Sequence, residues 1–181
     1  TLMRAESFYL ALQDPVTGVV SFPYHRDAVD PAPAPRRGGR GITEYVLRTG
    51  RATLADLDAI RLLKESGEYE QTGHPAAIWL GVPLTVEGRT FGVMAVQDRH
   101  DPKAFDEEDR RILSFVAGQT ALAIERKRSE EELVERTRLL RESEERFGKA
   151  FHSTPAVLSI IRLSDERVVR SEEHTSELQS H

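Results

Sequence analysis

Residues 77–97 read AIWLGVPLTVEGRTFGVMAVQ, and the reading of this stretch decides the fold. Two apolar runs, Ala77–Val86 and Thr90–Gln97, flank the dipeptide Glu87-Gly88. A short turn with Gly at its second position matches the twist of two antiparallel strands, so this is the strongest β-hairpin signal in the chain. Upstream, Phe8, Leu10 and Leu12 alternate with Tyr9, Ala11 and Gln13, which is strand periodicity. Asp14-Pro15-Val16-Thr17-Gly18 supplies turn chemistry, and Val20, Phe22 and Tyr24 alternate again, so residues 7–25 predict a second hairpin. Residues 30–41 (DPAPAPRRGGRG) are too rich in Pro and Gly for regular structure and predict a loop. Ile42, Tyr45, Val46 and Thr49 fall at helical spacing, with Gly50 where a C-cap belongs. A short strand over Leu54–Leu57 and a helix over Ala59–Ser66 complete this part.

Downstream of the hairpin, residues 105–147 predict one long helix. Asp106 is a good N-cap, and the carboxylates behind it suit the positive end of the helix dipole. From Ile112 to Ile124 the helix is apolar over much of its circumference and is expected to pack on the sheet. From Glu125 to Phe147 the character changes: 15 of 23 residues are charged, eight acidic and seven basic, which predicts a solvated helix. Opposite charges four apart, such as Arg126/Glu130 and Glu142/Arg146, each add about 0.2–0.5 kcal/mol to it. Ile112, Gln119, Arg126, Leu133, Leu140 and Phe147 recur at seven-residue spacing. Apolar outer members and polar Gln119 and Arg126 predict a dimeric coiled coil weakened at its middle, with Leu133, Leu140 and Phe147 as its contacts. A single surface helix is the alternative. Pro155 then stops the helix, and Ala156–Ile161 with Val168-Val169 reads as the first strands of a second module that is not completed. Residues 170–181 (RSEEHTSELQSH) carry no periodicity and resemble the translation of a sequencing-adapter oligonucleotide, so they are expected to be an artefactual tail.

Composition narrows the function classes. The chain has 181 residues, enough for one domain plus a fragment. The absence of Cys excludes disulfides, thiolate metal sites, cysteine nucleophiles and thioether-linked chromophores. A net charge of −5 argues against nucleic-acid binding. No apolar run reaches membrane-spanning length, which together with the composition points to a cytoplasmic protein.

Four stretches carry a family resemblance: ESFYLALQD, GRGITEYVLRTGRATLADL, WLGVPLTVEGRTFGVMAVQDRH and FDEEDRRILSFVAGQTALAIERKR. Together they resemble a GAF domain over residues 1–126 whose leading helix is largely missing. Residues 127–146 are similar to a signalling helix, and residues 147–169 resemble the opening of a PAS domain. The resemblance implies an α+β fold, an antiparallel sheet packed by helices, followed by a long C-terminal helix and an incomplete PAS-like stub. It implies a sensory module of a bacterial signal-transduction protein, as in histidine kinases of two-component systems or diguanylate cyclases. Such a module binds a small molecule or relays a change through a helix dimer. A purely structural dimerisation module without ligand is the alternative.

No catalytic constellation is visible, so the chain itself is not expected to be an enzyme. Cyclic-nucleotide-binding members carry an Asn-Lys pair before the Phe-Asp-Glu of the last helix; here Phe105, Asp106 and Glu107 are present, but Gln97-Asp98 stands in the earlier place. Asn occurs nowhere in the chain, which argues against cyclic nucleotides. Covalent bilin attachment and methionine sulfoxide reduction both need cysteine, and no cofactor is expected. His25, His74 and His100 lack metal-ligand spacing, and exposure is the expectation for His25 and His100. His152 lacks the acidic neighbour of a phosphoacceptor histidine. The Arg36–Gly41 run reads as a solvated loop, because the Lys-Ser/Thr of a phosphate loop is missing. Phe22, Tyr24, Tyr45 and Trp79 are the aromatics expected to line a pocket between sheet and loops.

Overall fold

The structure is a computed structural model that describes residues 5–70, 76–153, 158–162 and 167–172, with side chains described up to residue 149. The chain divides into two compact units, Thr1–Lys127 and Arg128–His181.

The first unit is built on a six-stranded antiparallel sheet. Its strands are β1 (Ser7–Gln13), β2 (Val19–Arg26), β3 (Arg36–Arg37), β4 (Thr53–Asp56), β5 (Ile78–Val86) and β6 (Arg89–Asp98). Their order across the sheet is β3-β2-β1-β6-β5-β4. The decisive hairpin forms as expected: Ile78 faces Asp98, and Val86 faces Arg89 across the Glu87-Gly88 turn. Both turn residues have positive φ, 50° and 79°, the combination a two-residue hairpin turn needs. β6 then pairs with β1 along Ser7–Leu12, which joins the two halves of the sheet.

Alternation along the strands separates two faces. One carries Leu80, Val82, Leu84, Met94 and Val96, with Phe8, Leu10 and Leu12 at its edge. It is covered by the first half of α3 (Glu107–Ser153), whose Leu113, Ala117 and Ala121 form a stripe of i, i+4 spacing against the sheet. Only this stripe and Ile124 reach the core. The segment packs on the sheet as expected, while Ile112, Phe115, Val116 and Leu122 on the rest of its circumference are exposed. The opposite face carries Tyr9, Ala11, Val20, Trp79, Val93 and Ala95, packed by α1 (Ile42–Thr49) through Val46.

Two glycines permit close approach. A Cβ on Gly92 would stand 2.6 Å from the Ala11 carbonyl oxygen, and one on Gly81 would stand 1.9 Å from Trp79 Cη2. The indole therefore lies flat across the Gly81 backbone.

Local sequence explains the helix ends. Gly50 adopts φ 63° and its N–H donates to the Val46 carbonyl, closing α1. Asp56 caps α2 (Leu57–Glu65) by accepting the Ala59 N–H at 2.8 Å. Asp106 accepts the N–H groups of Glu108 and Asp109, while Asp109 accepts the Asp106 N–H in return, a reciprocal cap on α3.

The structure departs from the sequence reading in three places. The Pro/Gly-rich loop contains β3, which pairs Arg36 with Val20 and Arg37 with Val19 at the sheet edge. α3 continues to Ser153, past the 105–147 range and short of the Pro155 expected to stop it. β8 (Arg167–Glu172) runs past Val169, pairing Arg170 with Ile160 and Glu172 with Leu158 of β7 (Leu158–Arg162). Backbone pairing with an available strand does not depend on which side chains the partner carries, so it crosses the boundary that periodicity suggested.

In the second unit, Arg138 pairs with Glu135 and Glu142, each at 2.6 Å, along the exposed helix. No helix among the described residues is long and apolar enough to cross a membrane.

Candidate functional site

The α1-covered face of the sheet is not fully closed. Beyond Val46 it opens into a cavity of about 380 Å³. The floor is aromatic: Tyr9 from β1, Phe22 from β2 and Trp79 from β5. Ile42 and Thr43 at the start of α1, Leu57 and Ile60 of α2, and Tyr69 after it form the walls. Asp27 and Asp30 on the segment between β2 and β3, Arg36 of β3, and Gln97 at the end of β6 give the rim its polar character. The size and the mix of an apolar body with few polar groups are those of small-molecule sites.

Of the four aromatics expected at a pocket, Phe22 and Trp79 line the cavity, while Tyr24 and Tyr45 do not. One irregularity explains Tyr24. Between Leu10 and Leu12 the β1–β2 register shifts, so that Leu12 faces Ser21 but Leu10 faces Tyr24. The extra residue on β2, next to Pro23, turns Tyr24 to the α3 side, where its ring meets Phe8 edge-on at 5.5 Å. The same bulge brings His25 to the cavity side, stacked on Tyr9, in place of the exposed position expected for it. Tyr45 sits a turn further along α1, with the Arg48 guanidinium over its ring. His100 is exposed and holds Glu6 through Nδ1 at 2.7 Å. His74 lies outside the described residues, as does the side chain of His152.

A buried hydroxyl relay runs through the cavity floor. Trp79 Nε1–H donates to Tyr9 Oη at 3.1 Å, and Tyr9 Oη shares a hydrogen bond with Thr43 Oγ1 at 2.8 Å. Burial pushes the Tyr9 phenol up to about 12, against the opposing hydrogen bonds from Thr43 and Trp79. The phenol therefore stays protonated at any physiological pH.

The rim is held by ion pairs that sequence spacing did not reveal. Asp27, its side chain fully buried, accepts Arg99 Nη2 at 2.7 Å and Gln97 Nε2 at 3.3 Å on Oδ2. Its Oδ1 accepts the Val29 and Asp30 N–H groups. Burial alone would raise the Asp27 carboxyl, but the bond from Arg99, followed by the two backbone donors, holds it well below the usual carboxylate range. Arg99 also reaches Asp30 at 2.7 Å, and its own affinity for the proton is raised by the Asp27 bond. On the other side, Arg36 lies over the Phe22 ring at 5.0 Å and places both Nε and Nη2 on Glu44 Oε1. Arg36 is thus part of the cavity wall, not the solvated loop residue expected. Asp56 and Asp58 serve α2, as N-cap and in an Arg61 pair.

Glu6, Asp98 and His100 bring possible ligand atoms within 4.8 Å of one another. Asp98 Oδ1 already accepts the His100 and Asp101 N–H groups, and Glu6 binds His100 and the Arg99 N–H. The arrangement is a turn clasped by side chains.

The profile of the GAF domain family matches residues 1–125. Among solved structures, the GAF domain of a phosphoenolpyruvate-protein phosphotransferase from Acinetobacter superposes with a TM-score of 0.56 at 16% identity, covering 69% of this chain and 74% of that one. The second GAF domain of DevS from Mycobacterium smegmatis gives 0.56 at 14% identity, covering 71% and 86%. A type II free methionine-R-sulfoxide reductase from Thermoplasma acidophilum gives 0.52 at 15% identity, covering 65% and 77%. At these identities the likeness is one of fold. No curated protein matches the chain.

Proposed function

Because this chain belongs to the GAF domain family, we propose that it is a non-catalytic sensory module that binds a small molecule in the cavity on the α1 face of its sheet. The observation that carries this reading is the contrast between a sheet face sealed by apolar packing and one left open over Tyr9, Phe22 and Trp79. Residues 1–126 form the sensor, 127–146 a signalling helix, 147–169 the start of a PAS-like module, and 170–181 a tail foreign to both whose first three residues extend β8. The parent is a cytoplasmic bacterial signal-transduction protein whose effector is a histidine kinase or a diguanylate cyclase.

The relay follows from chain continuity. α3 supplies Leu113, Ala117 and Ala121 to the sensor core and continues to Ser153. Further along it, Leu133, Leu140 and Phe147 are exposed, at 65%, 61% and 47%, which favours a homodimer through this helix. A ligand that binds one helix arrangement better than another shifts the balance between them. The same exposed residues support the second reading, a structural dimerisation module without ligand.

Thermal-shift screening of the full chain against metabolites tests the sensor reading. A ligand at about 100 times its Kd adds about 2.7 kcal/mol and raises Tm by several degrees. A broad library that leaves Tm unmoved, with the chain still dimeric, leaves the structural module standing instead.

A further inference from the structure

We propose that the cavity selects flat, uncharged ligands that present a hydrogen-bond acceptor, a ketone or amide carbonyl or a ring nitrogen, to the Tyr9–Thr43 hydroxyl pair. This rests on the reading of the cavity as a ligand site and specifies what it takes.

The relay holds three donors: the Trp79 indole N–H and the hydroxyls of Tyr9 and Thr43. The indole proton goes to Tyr9, and one hydroxyl proton is used between Tyr9 and Thr43. If Tyr9 donates, the Thr43 proton remains; if Thr43 donates, the Tyr9 proton remains. Either way one hydroxyl proton has no acceptor among the described residues. Tyr9 is 9% exposed and Thr43 4%, and both line the cavity. An occupant that displaces solvent from this end must supply the acceptor or leave a buried donor unmet. The raised phenol pKa keeps Tyr9 a donor throughout the neutral range.

Charge narrows the class further. Arg36 is engaged by Glu44, and Arg99 by Asp27 and Asp30. Neither guanidinium is left to neutralise an anion, while two carboxylates stand at the rim. A cation fares no better, because Asp27 already accepts four hydrogen bonds and Asp30 is held by Arg99. Aromatic floor residues favour a planar body.

Three isosteric probes test this: acetophenone, α-methylstyrene and benzoate, which share a flat ring and differ in acceptor and charge. Trp79 is the sole tryptophan of the chain, so its indole N–H gives one NMR signal that reports cavity occupancy. Titration of the full chain is expected to show acetophenone binding at least about tenfold more tightly than α-methylstyrene and benzoate. Equal binding of acetophenone and α-methylstyrene, or tightest binding by benzoate, overturns the inference and leaves the cavity reading intact. If none of the three probes moves the indole signal, the cavity reading falls with it.

Discussion

The two faces of one sheet are filled differently, one closed by apolar packing and the other left with a cavity. Behind α3, Leu80, Val82, Leu84 and Met94 meet Leu113, Ala117 and Ala121 in a buried apolar cluster. Behind α1, the same strands turn Tyr9 and Trp79 toward Thr43, and the packing stops short of filling the space. Apolar side chains stabilise by burial alone and tolerate no gap. Polar groups need partners, and where the protein supplies one acceptor too few, a ligand can supply it. On the proposed reading, the first face sets whether the domain folds, and the second what it binds.

The largest expected effect lies on the closed face. Leu84→Ala creates a cavity at a fully buried position and costs about 2–5 kcal/mol in urea unfolding. Affinity for cavity probes stays unchanged below the transition. A variant of equal stability and weakened binding would show that the faces are not separable.

Next comes the rim. Asp27→Asn removes one of the two carboxylates that hold the largely buried Arg99 guanidinium, leaving Asp30 as its partner, and is expected to cost about 1–3 kcal/mol. The wild type also carries a pH signature. The Asp27 carboxyl is lower in the folded state than in the unfolded chain, so its contribution is present above about pH 4 and declines as pH falls below that value. Urea midpoints measured from pH 6 down to pH 2 fall less steeply in the variant than in the wild type. Parallel curves would remove Asp27 from the account.

Tyr9 gives a smaller signature of opposite sense. Its pKa is raised on folding, so its contribution is intact below about pH 10 and is lost as pH rises through about 12. The stability difference between wild type and Tyr9→Phe, followed from pH 9 to pH 12, narrows with rising pH. A constant difference would mean that the phenol is not held in its protonated form by burial. Smallest is Leu133→Ala/Leu140→Ala, which scarcely alters sensor stability but abolishes the dimer in sedimentation; an unchanged sedimentation profile removes the helix relay.

How much of this was legible depends on how local its cause is. The β5–β6 hairpin needs only Glu87-Gly88 and the two apolar runs beside it, and α1 needs only its periodicity and Gly50. The position of Trp79 on a strand was equally plain. The bulge at Pro23 was not, and one inserted residue exchanged the fates of Tyr24 and His25. β3 was masked by composition, since Pro and Gly dominate a loop that nonetheless lends two residues to an edge. Least legible was the Asp27–Arg99 pair, 72 positions apart in sequence and joined only when β6 returns to the middle of the sheet. Spacing rules see neighbours along the chain, and the rim is made of neighbours across it.

The measurement that bears most directly on the central claim is the NMR shift of the Trp79 indole N–H in the full chain as compounds that raise Tm are titrated in. A dose-dependent, saturable shift at the same concentrations that stabilise the fold is expected. Stabilising compounds that leave the indole signal in place would put the binding site elsewhere and contradict the division between the two faces.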